Sequence, residues 1–154
     1  MMGASKMEAL PQVESLSLED IVELQAILKA CHLSSEDVEV PINSFIGIRD
    51  GGQVIAVGGL EMASPDALLR SVAVAPEYRG QGLANLIVGA LIKIAVRSHI
   101  TSQYLLTETA PWFFEKLGFE LVIRNDVPES IRSCRQFTGL CPDSADCLRL
   151  KISQ

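Results

Sequence analysis

The stretch Val72-Ala73-Val74-Ala75-Pro76-Glu77-Tyr78-Arg79-Gly80-Gln81-Gly82-Leu83-Ala84, read as VAVAPEYRGQGLA, changes character twice. Its first residues read as a strand, and Pro76, which has no N–H to give to a ladder, ends it. Two glycines, Gly80 and Gly82, then stand where a helix begins. Glycine lets a ligand approach the backbone without a Cβ in the way, and the first N–H groups of a helix have no internal acceptor. With the positive end of the helix dipole and Arg79 beside them, these groups form an anion site suited to phosphate. Between Glu77 and Glu108 there is no Asp or Glu, while Arg79, Lys93 and Arg97 fall inside that interval. From the glycines alone, the alternative is a tight strand-to-helix connection with no ligand. A dinucleotide fingerprint fits poorly, because Asn85 holds the third glycine position and no acid follows at the ribose distance.

Around this stretch the chain has 154 residues, 48% of them hydrophobic, which suits a single domain over 1–154 with a sizeable core. The net charge of −6 argues against a protein that coats nucleic acid, which needs a broad basic surface. No apolar run reaches the roughly 18 residues of a membrane span, and MMGASKMEALPQ lacks the apolar core of a signal peptide. No membrane association and a cytoplasmic address are expected. Cys31, Cys134, Cys141 and Cys147 are then expected as thiols, and their spacing is not that of paired CxxC zinc ligands.

Ser17 caps a helix through about Cys31, with Ile21, Leu24, Leu28 and Cys31 on one face. A short second helix from Ser34 or Ser35 ends before Pro41. Phe45 to Arg49 and Val54 to Leu60 flank Asp50-Gly51-Gly52-Gln53, the pattern of a hairpin in which the Asp-Gly pair takes positive φ. Ala67 to Val74 follows the Ser64-Pro65-Asp66 turn as the third strand of a meander. From Gly82 to about Arg97 the spacing predicts a helix burying Leu83, Leu86, Ile87, Ala90, Leu91 and Ile94, widened by Val88 and Ile92. Strand Tyr104 to Thr107, a helix from Pro111 to Leu117 closed by Gly118, strand Phe119 to Ile123 and a last strand Cys147 to Ile152 complete the order. Residues 1–15 supply a first strand or stay flexible, and 125–147 form an irregular, substrate-side segment with a helical turn after Pro128. The fold class is mixed α/β, an antiparallel front joined to a crossover-connected back.

The VAVAPEYRGQGLA run resembles the acetyl-coenzyme A motif of the GNAT acetyltransferases, a strand and Pro followed by Arg/Gln-x-x-Gly-x-Gly/Ala. Phe113-Phe114-Glu115-Lys116-Leu117-Gly118-Phe119 resembles that superfamily's second signature, and the element order fits from about residue 16 to 152. The resemblance implies the GNAT fold: a central mixed, mostly antiparallel sheet of six to seven strands with helices on both faces. It also implies acetyl-CoA as co-substrate, held by N–H groups of Gln81 to Ala84 and by the backbone of Val72, Ala73 and Val74, with Arg79, Gly80, Gly82, Leu83 and Phe114 in the cofactor set. Within the superfamily the chain is similar to amino-acid N-acetyltransferases, including the short N-acetylglutamate-synthase-like proteins and the group linked to arsenic-resistance operons. That likeness rests on LRSVAV at 69–74, VPESIR at 127–132 and the tail FTGLCPDSADC at 137–147.

Such a reaction needs a neutral amine, a polarised carbonyl and a proton for the leaving thiolate. Glu61 and Glu108 are the candidate bases, directly or through a water. Many GNAT enzymes carry a tyrosine where this chain has Phe114, so the thiolate leaves with the help of water or of a group such as Thr107. By alternation Arg70 shares a face with Val72 and Val74, and it needs a carboxylate: that of a substrate, or internal Glu61 or Asp66. Arg132 and Arg135 could complete a carboxylate clamp, and Trp112 is either a substrate wall or a rim residue. The expected partner is a small-molecule amine, with no metal and with a homodimer as the candidate assembly. The rival readings are a non-catalytic sensor of coenzyme A or of arsenic, using the tail thiols, and a protein N-terminal acetyltransferase.

Overall fold

The computed structural model describes residues 10–35, 44–108, 110–134, 137 and 144–152. These form two compact units, one of residues up to Leu60 with Ser71–Leu91, the other of Glu61–Arg70 with residues from Ile92 on. Seven strands make one sheet in the order β1-β2-β3-β4-β5-β7-β6. Two strands, β3 (Gln53–Ala63) and β4 (Asp66–Val74), run through both units.

In the first unit β1 (Val13–Ser15) pairs antiparallel with β2 (Phe45–Asp50), Val13 facing Ile48. Ser17 begins the next element, a 3-10 turn over Leu18–Asp20 that leads into α1 (Ile21–Ala30). The cap works in reverse of the simplest expectation: the Asp20 carboxylate reaches back to accept the Ser17 N–H at 2.8 Å. Asp20 also accepts from Arg49 on β2 at 2.5 Å, and the same guanidinium meets Glu14 on β1 and, at 3.8 Å, Glu23 on α1. One cation thus ties three elements together over a core of Leu16, Leu24, Ile27, Leu28, Phe45, Val54, Val57 and Ala73.

The β2–β3 hairpin turns at two residues, Asp50 facing Gln53. Positive φ falls on Gly51 (+59°) and Gly52 (+86°), so the turn is the Gly-Gly pair rather than Asp-Gly. Long helix α2 (Leu83–Arg97) begins where expected. It buries Leu83, Ile87, Val88, Leu91 and Ala95, but Leu86 is 43% exposed. At about 100° per residue Leu86 falls on the far side of the stripe's centre from Val88 and Ala95, which the expected face did not weigh. A Cβ on Gly58 of β3 would stand 2.4 Å from Ile87 Cγ2, so strand and helix meet at a residue with no side chain.

In the second unit β4 and β5 (Ser102–Thr107), joined through α2, pair in parallel, with Asp66, Ala67 and Leu68 facing Ser102, Gln103 and Tyr104. On its other edge β5 pairs antiparallel with β7 (Asp146–Lys151), and β7 with β6 (Glu120–Leu121). The crossover-connected back is therefore present. Helix α3 (Pro111–Lys116) ends at Gly118, as expected, but β6 is shorter than Phe119 to Ile123. Phe119 is taken up by the helix end: its N–H bonds to Phe114 O and that of Gly118 to Glu115 O, the two bonds of a Schellman closure. A turn after Pro128 is found as α4 (Glu129–Arg132). The second core joins Leu68, Tyr104, Val127, Ile131 and Cys147. The short helix expected before Pro41 lies outside the described residues, and among those described no helix is long and apolar enough to cross a membrane.

The Arg49 guanidinium, and then the Ser17 N–H, hold Asp20 below the usual carboxylate range against the opposing effect of burial. A lowered folded-state pKa gives stability that is complete above the unfolded value of 3.8 and is lost as pH falls through the folded one. Asp20→Ala should cost about 1–2 kcal/mol near neutrality. In thermal unfolding followed across pH, the gap between wild type and variant should close in acid. Gly58→Ala should cost about 1–3 kcal/mol by overpacking, read from denaturant unfolding.

Candidate functional site

Just past β4, Ala75 donates its N–H to Ile55 O at 2.8 Å, and Pro76–Tyr78 makes one 3-10 turn. Tyr78 then anchors the turn, its hydroxyl donating to Asp50 Oδ2 at 2.6 Å. Sequence reasoning had no signal for this pairing, since the two residues lie on separate turns. Gly80 and Gly82 have φ of +82° and +79°, and nothing lies within 4 Å of a Cβ built on either. Their role is conformational, and the space above them is open. The first bond of α2 joins Leu86 N–H to Gly82 O at 3.2 Å, so the N–H groups of Leu83, Ala84 and Asn85 precede the helical ladder.

Arg79 is exposed and folds back over the strand end. Its Nε donates to Val74 O at 3.3 Å and its Nη2 to Cys31 Sγ at 3.3 Å, while the Cys31 thiol meets Val74 O at 3.4 Å. The guanidinium is thereby held against the end of β4 and Cys31, and Gln81 is half-buried. Of the strand residues, Ala73 and Val74 are buried and Val72 is half-buried. Ser71 has φ of +58°, a left-handed backbone that costs a residue with a side chain about 1 kcal/mol or more. That interruption corrects the alternation argument, because a period of two does not carry from Arg70 across Ser71 to Val72 and Val74.

In the second unit Arg70 is buried, its side chain 1% exposed, and Nη1 donates to Glu61 Oε1 at 2.6 Å. The internal alternative for its carboxylate is the one found. Glu61, at the outer end of β3, keeps 22% of its side chain exposed. Asp66, the other internal option, is buried at the start of β4, and burial raises its carboxyl above the usual range. The Cys134 thiol meets Ser130 O at 3.5 Å, and burial pushes it up to about 11, with the Glu61 charge adding to the shift.

The remaining candidates are more dispersed. Thr107 ends β5, and its Oγ1 accepts the Ala110 N–H at 3.2 Å, fixing the entry to α3. Glu108 is exposed. Phe114 is buried edge-on to Phe113 and Phe119, with centroids 5.1 and 5.9 Å away. Trp112 is 59% exposed with Lys116 Nζ 5.2 Å from its ring centroid, and Arg132 is exposed at the end of α4. Cys147 is buried and Cys134 half-buried, while Arg135 and Cys141 lie outside the described residues. Among the described residues no group of three or more His, Cys, Asp or Glu is placed to hold a metal.

A family model described as an acetyltransferase (GNAT) domain matches residues 41–121, more than half of the chain. The amino-acid acetyltransferase of Pasteurella multocida is 29% identical over 101 residues, which make up 64% of this chain and 23% of that protein. The chain thus spans only 23% of the length of the first curated relatives it matches. The N-acetylglutamate synthase of Neisseria gonorrhoeae, solved with coenzyme A and N-acetyl-glutamate, matches with a TM-score of 0.82 at 18% identity, over 96% of this chain and 36% of that one. A GNAT-family acetyltransferase from Staphylococcus aureus gives 0.78 at 16% identity, over 94% of this chain and all of that one (100%). At these identities the likeness establishes the fold.

Removing one member of a buried ion pair leaves the other charge without its partner. Arg70→Ala should therefore destabilise the protein by about 2 kcal/mol, less than a fully buried pair would cost because Glu61 can recover some hydration. Denaturant unfolding measures it, and the double variant Arg70→Ala/Glu61→Gln should regain part of the loss.

Proposed function

The chain belongs to the GNAT family of acetyltransferases, and on that premise we propose that it transfers an acetyl group from acetyl-CoA to the amine of a small amino acid or amino-acid-like compound. One observation carries the cofactor half: two left-handed glycines open an acid-free helix whose first N–H groups precede its own ladder. Backbone N–H groups from Gln81 to Ala84 would hold the pyrophosphate, and Arg79, which precedes them in the chain and is bonded to Val74 O, would add positive charge. Main-chain groups of Val72, Ala73 and Val74 would take the pantetheine and polarise the thioester oxygen, redirected by the left-handed turn at Ser71.

In the reaction a neutral amine attacks the thioester carbonyl carbon. A C–N bond forms, the C–S bond breaks, the sulfur leaves as thiolate, and the amine gives up a proton. Glu61 is the base we assign to that proton, directly or through a water, because it is half-shielded and oriented by Arg70. Glu108, exposed at the end of β5, is the second candidate. The Thr107 hydroxyl accepts from Ala110 and keeps its own hydrogen, so it can donate a hydrogen bond to the departing thiolate, which water then protonates, where Phe114 cannot. On this reading Arg70 positions Glu61, and a substrate carboxylate falls to Arg132, with Trp112 as an apolar wall. The reaction is assigned to the cytoplasm, in keeping with reduced thiols.

Calorimetry with acetyl-CoA and CoA tests the cofactor half. We expect binding by the wild type and at least tenfold weaker binding by Arg79→Glu, a loss of about 1.4 kcal/mol or more. Free CoA release with a panel of amino acids and amino-acid-like toxins, arsenicals among them, tests the acceptor. Glu61→Gln should lower kcat about a hundredfold with binding of acetyl-CoA intact. CoA binding without turnover of any amine would select a non-catalytic sensor, and no binding at all would refute both.

A further inference from the structure

Helix α1 stops on a conformation that costs energy. The N–H of Leu33 bonds to Leu28 O at 2.8 Å and that of His32 to Lys29 O at 3.1 Å, the two bonds of a Schellman closure. The left-handed place after the cap, which glycine takes freely, is held by His32 with φ of +59°. This stop fixes the cap residue, Cys31, half-buried against the first core. Its thiol donates to Val74 O at 3.4 Å, at the end of β4, and its sulfur accepts from Arg79 Nη2 at 3.3 Å. Arg79 Nε donates to the same carbonyl at 3.3 Å, so thiol, carbonyl and guanidinium close a ring of contacts inside the first unit.

We propose that Cys31 is a positioning residue for the cofactor site, holding one edge of the Arg79 guanidinium so that the other edge meets a phosphate of CoA. The proposal rests on the acetyl-CoA reading and adds to it a residue from outside the glycine-rich motif. A guanidinium is planar: Nε and Nη2 present hydrogens along one side, while Nη1 and Nη2 present theirs at the tip. Both bonds use the side, and Arg79 is exposed, so the tip is left to an anion in the bidentate manner that suits phosphate. A thiol suits the place because one group works in both directions. Its hydrogen goes to Val74 O, and the sulfur then faces Arg79 as a weak acceptor without charge. A carboxylate there would hold the guanidinium more tightly but offset the charge that a phosphate needs. An exposed arginine loses rotamer freedom when a ligand fixes it, and one already fixed has less to lose.

A double-variant cycle on CoA affinity, measured by calorimetry, reads the coupling without any turnover. Cys31→Ala should weaken CoA binding about fivefold, and Cys31→Ser, which keeps a hydrogen for Val74 O and an acceptor for Nη2, should recover most of the loss. In an Arg79→Ala background the same Cys31→Ala change should alter CoA affinity less than about twofold, because no guanidinium is left to hold. Wild-type CoA affinity in Cys31→Ala would overturn the proposal. So would a Cys31→Ser protein no better than Cys31→Ala, or an equal loss with and without Arg79, the mark of a helix cap with no bearing on the cofactor. Hydrogen exchange at the Arg79 Nε–H, followed by NMR, tests the anchoring with no cofactor present: it should be several-fold faster in Cys31→Ala than in the wild type, and equal rates would refute the anchoring. If the wild type binds neither CoA nor acetyl-CoA, the acetyl-CoA reading fails and the positioning role with it, whereas CoA binding without coupling in the cycle refutes the role alone. Should Cys31→Ala not fold, Cys31→Val, which fills the place without donor or acceptor, replaces it in both measurements.

Discussion

Two left-handed backbone positions, Gly80 and Gly82, set where the long helix begins, and the first unit is organised around that starting point. A helix that began a residue earlier or later would rotate its buried stripe by about 100° and lose the fit of Ile87 against Gly58. The turn is therefore clamped from several sides. Tyr78 is bonded to the hairpin at Asp50, Arg79 to the carbonyl of Val74, and Ala75 to β3 through Ile55. None of these clamps occupies the N–H groups of Leu83 to Asn85, so the anchoring leaves the helix end available to an anion.

Charge is sorted in the same unit by a single residue. Arg49 gathers Glu14, Asp20 and Glu23 around one guanidinium at the entry to α1. The interval from Tyr78 to Thr107 carries no acid. On a chain of net charge −6 that interval is the stretch in which a helix end keeps its positive dipole without an acid of its own. At Glu61 the logic differs: one cation orients a carboxylate that still reaches solvent.

Much of this was legible in the residues. Pro76, the two glycines and the apolar period after them fix strand end, turn and helix, because each acts through local sterics. What escaped depends on partners distant in the chain or on backbone states with no residue signature. Ser71 gives no hint of its positive φ, and an alternation argument crossed it unaware. Phe119 looks like the first residue of a strand, yet its N–H closes a helix; only the bond to Phe114 O shows it. Arg70 announced that it needed a carboxylate but not which one.

The Schellman closure of α3 also bears on the missing tyrosine. In this motif the third residue from the helix end packs on the residue past the glycine, and here those are Phe114 and Phe119, 5.9 Å apart and nearly perpendicular. Phe113 stands 5.1 Å from the same ring, also nearly perpendicular. Neither phenylalanine offers a hydrogen-bond partner to a group carried on the Phe114 ring. The way the helix stops thus sets the orientation of the ring at 114, and with it the direction in which any group carried on that ring would point.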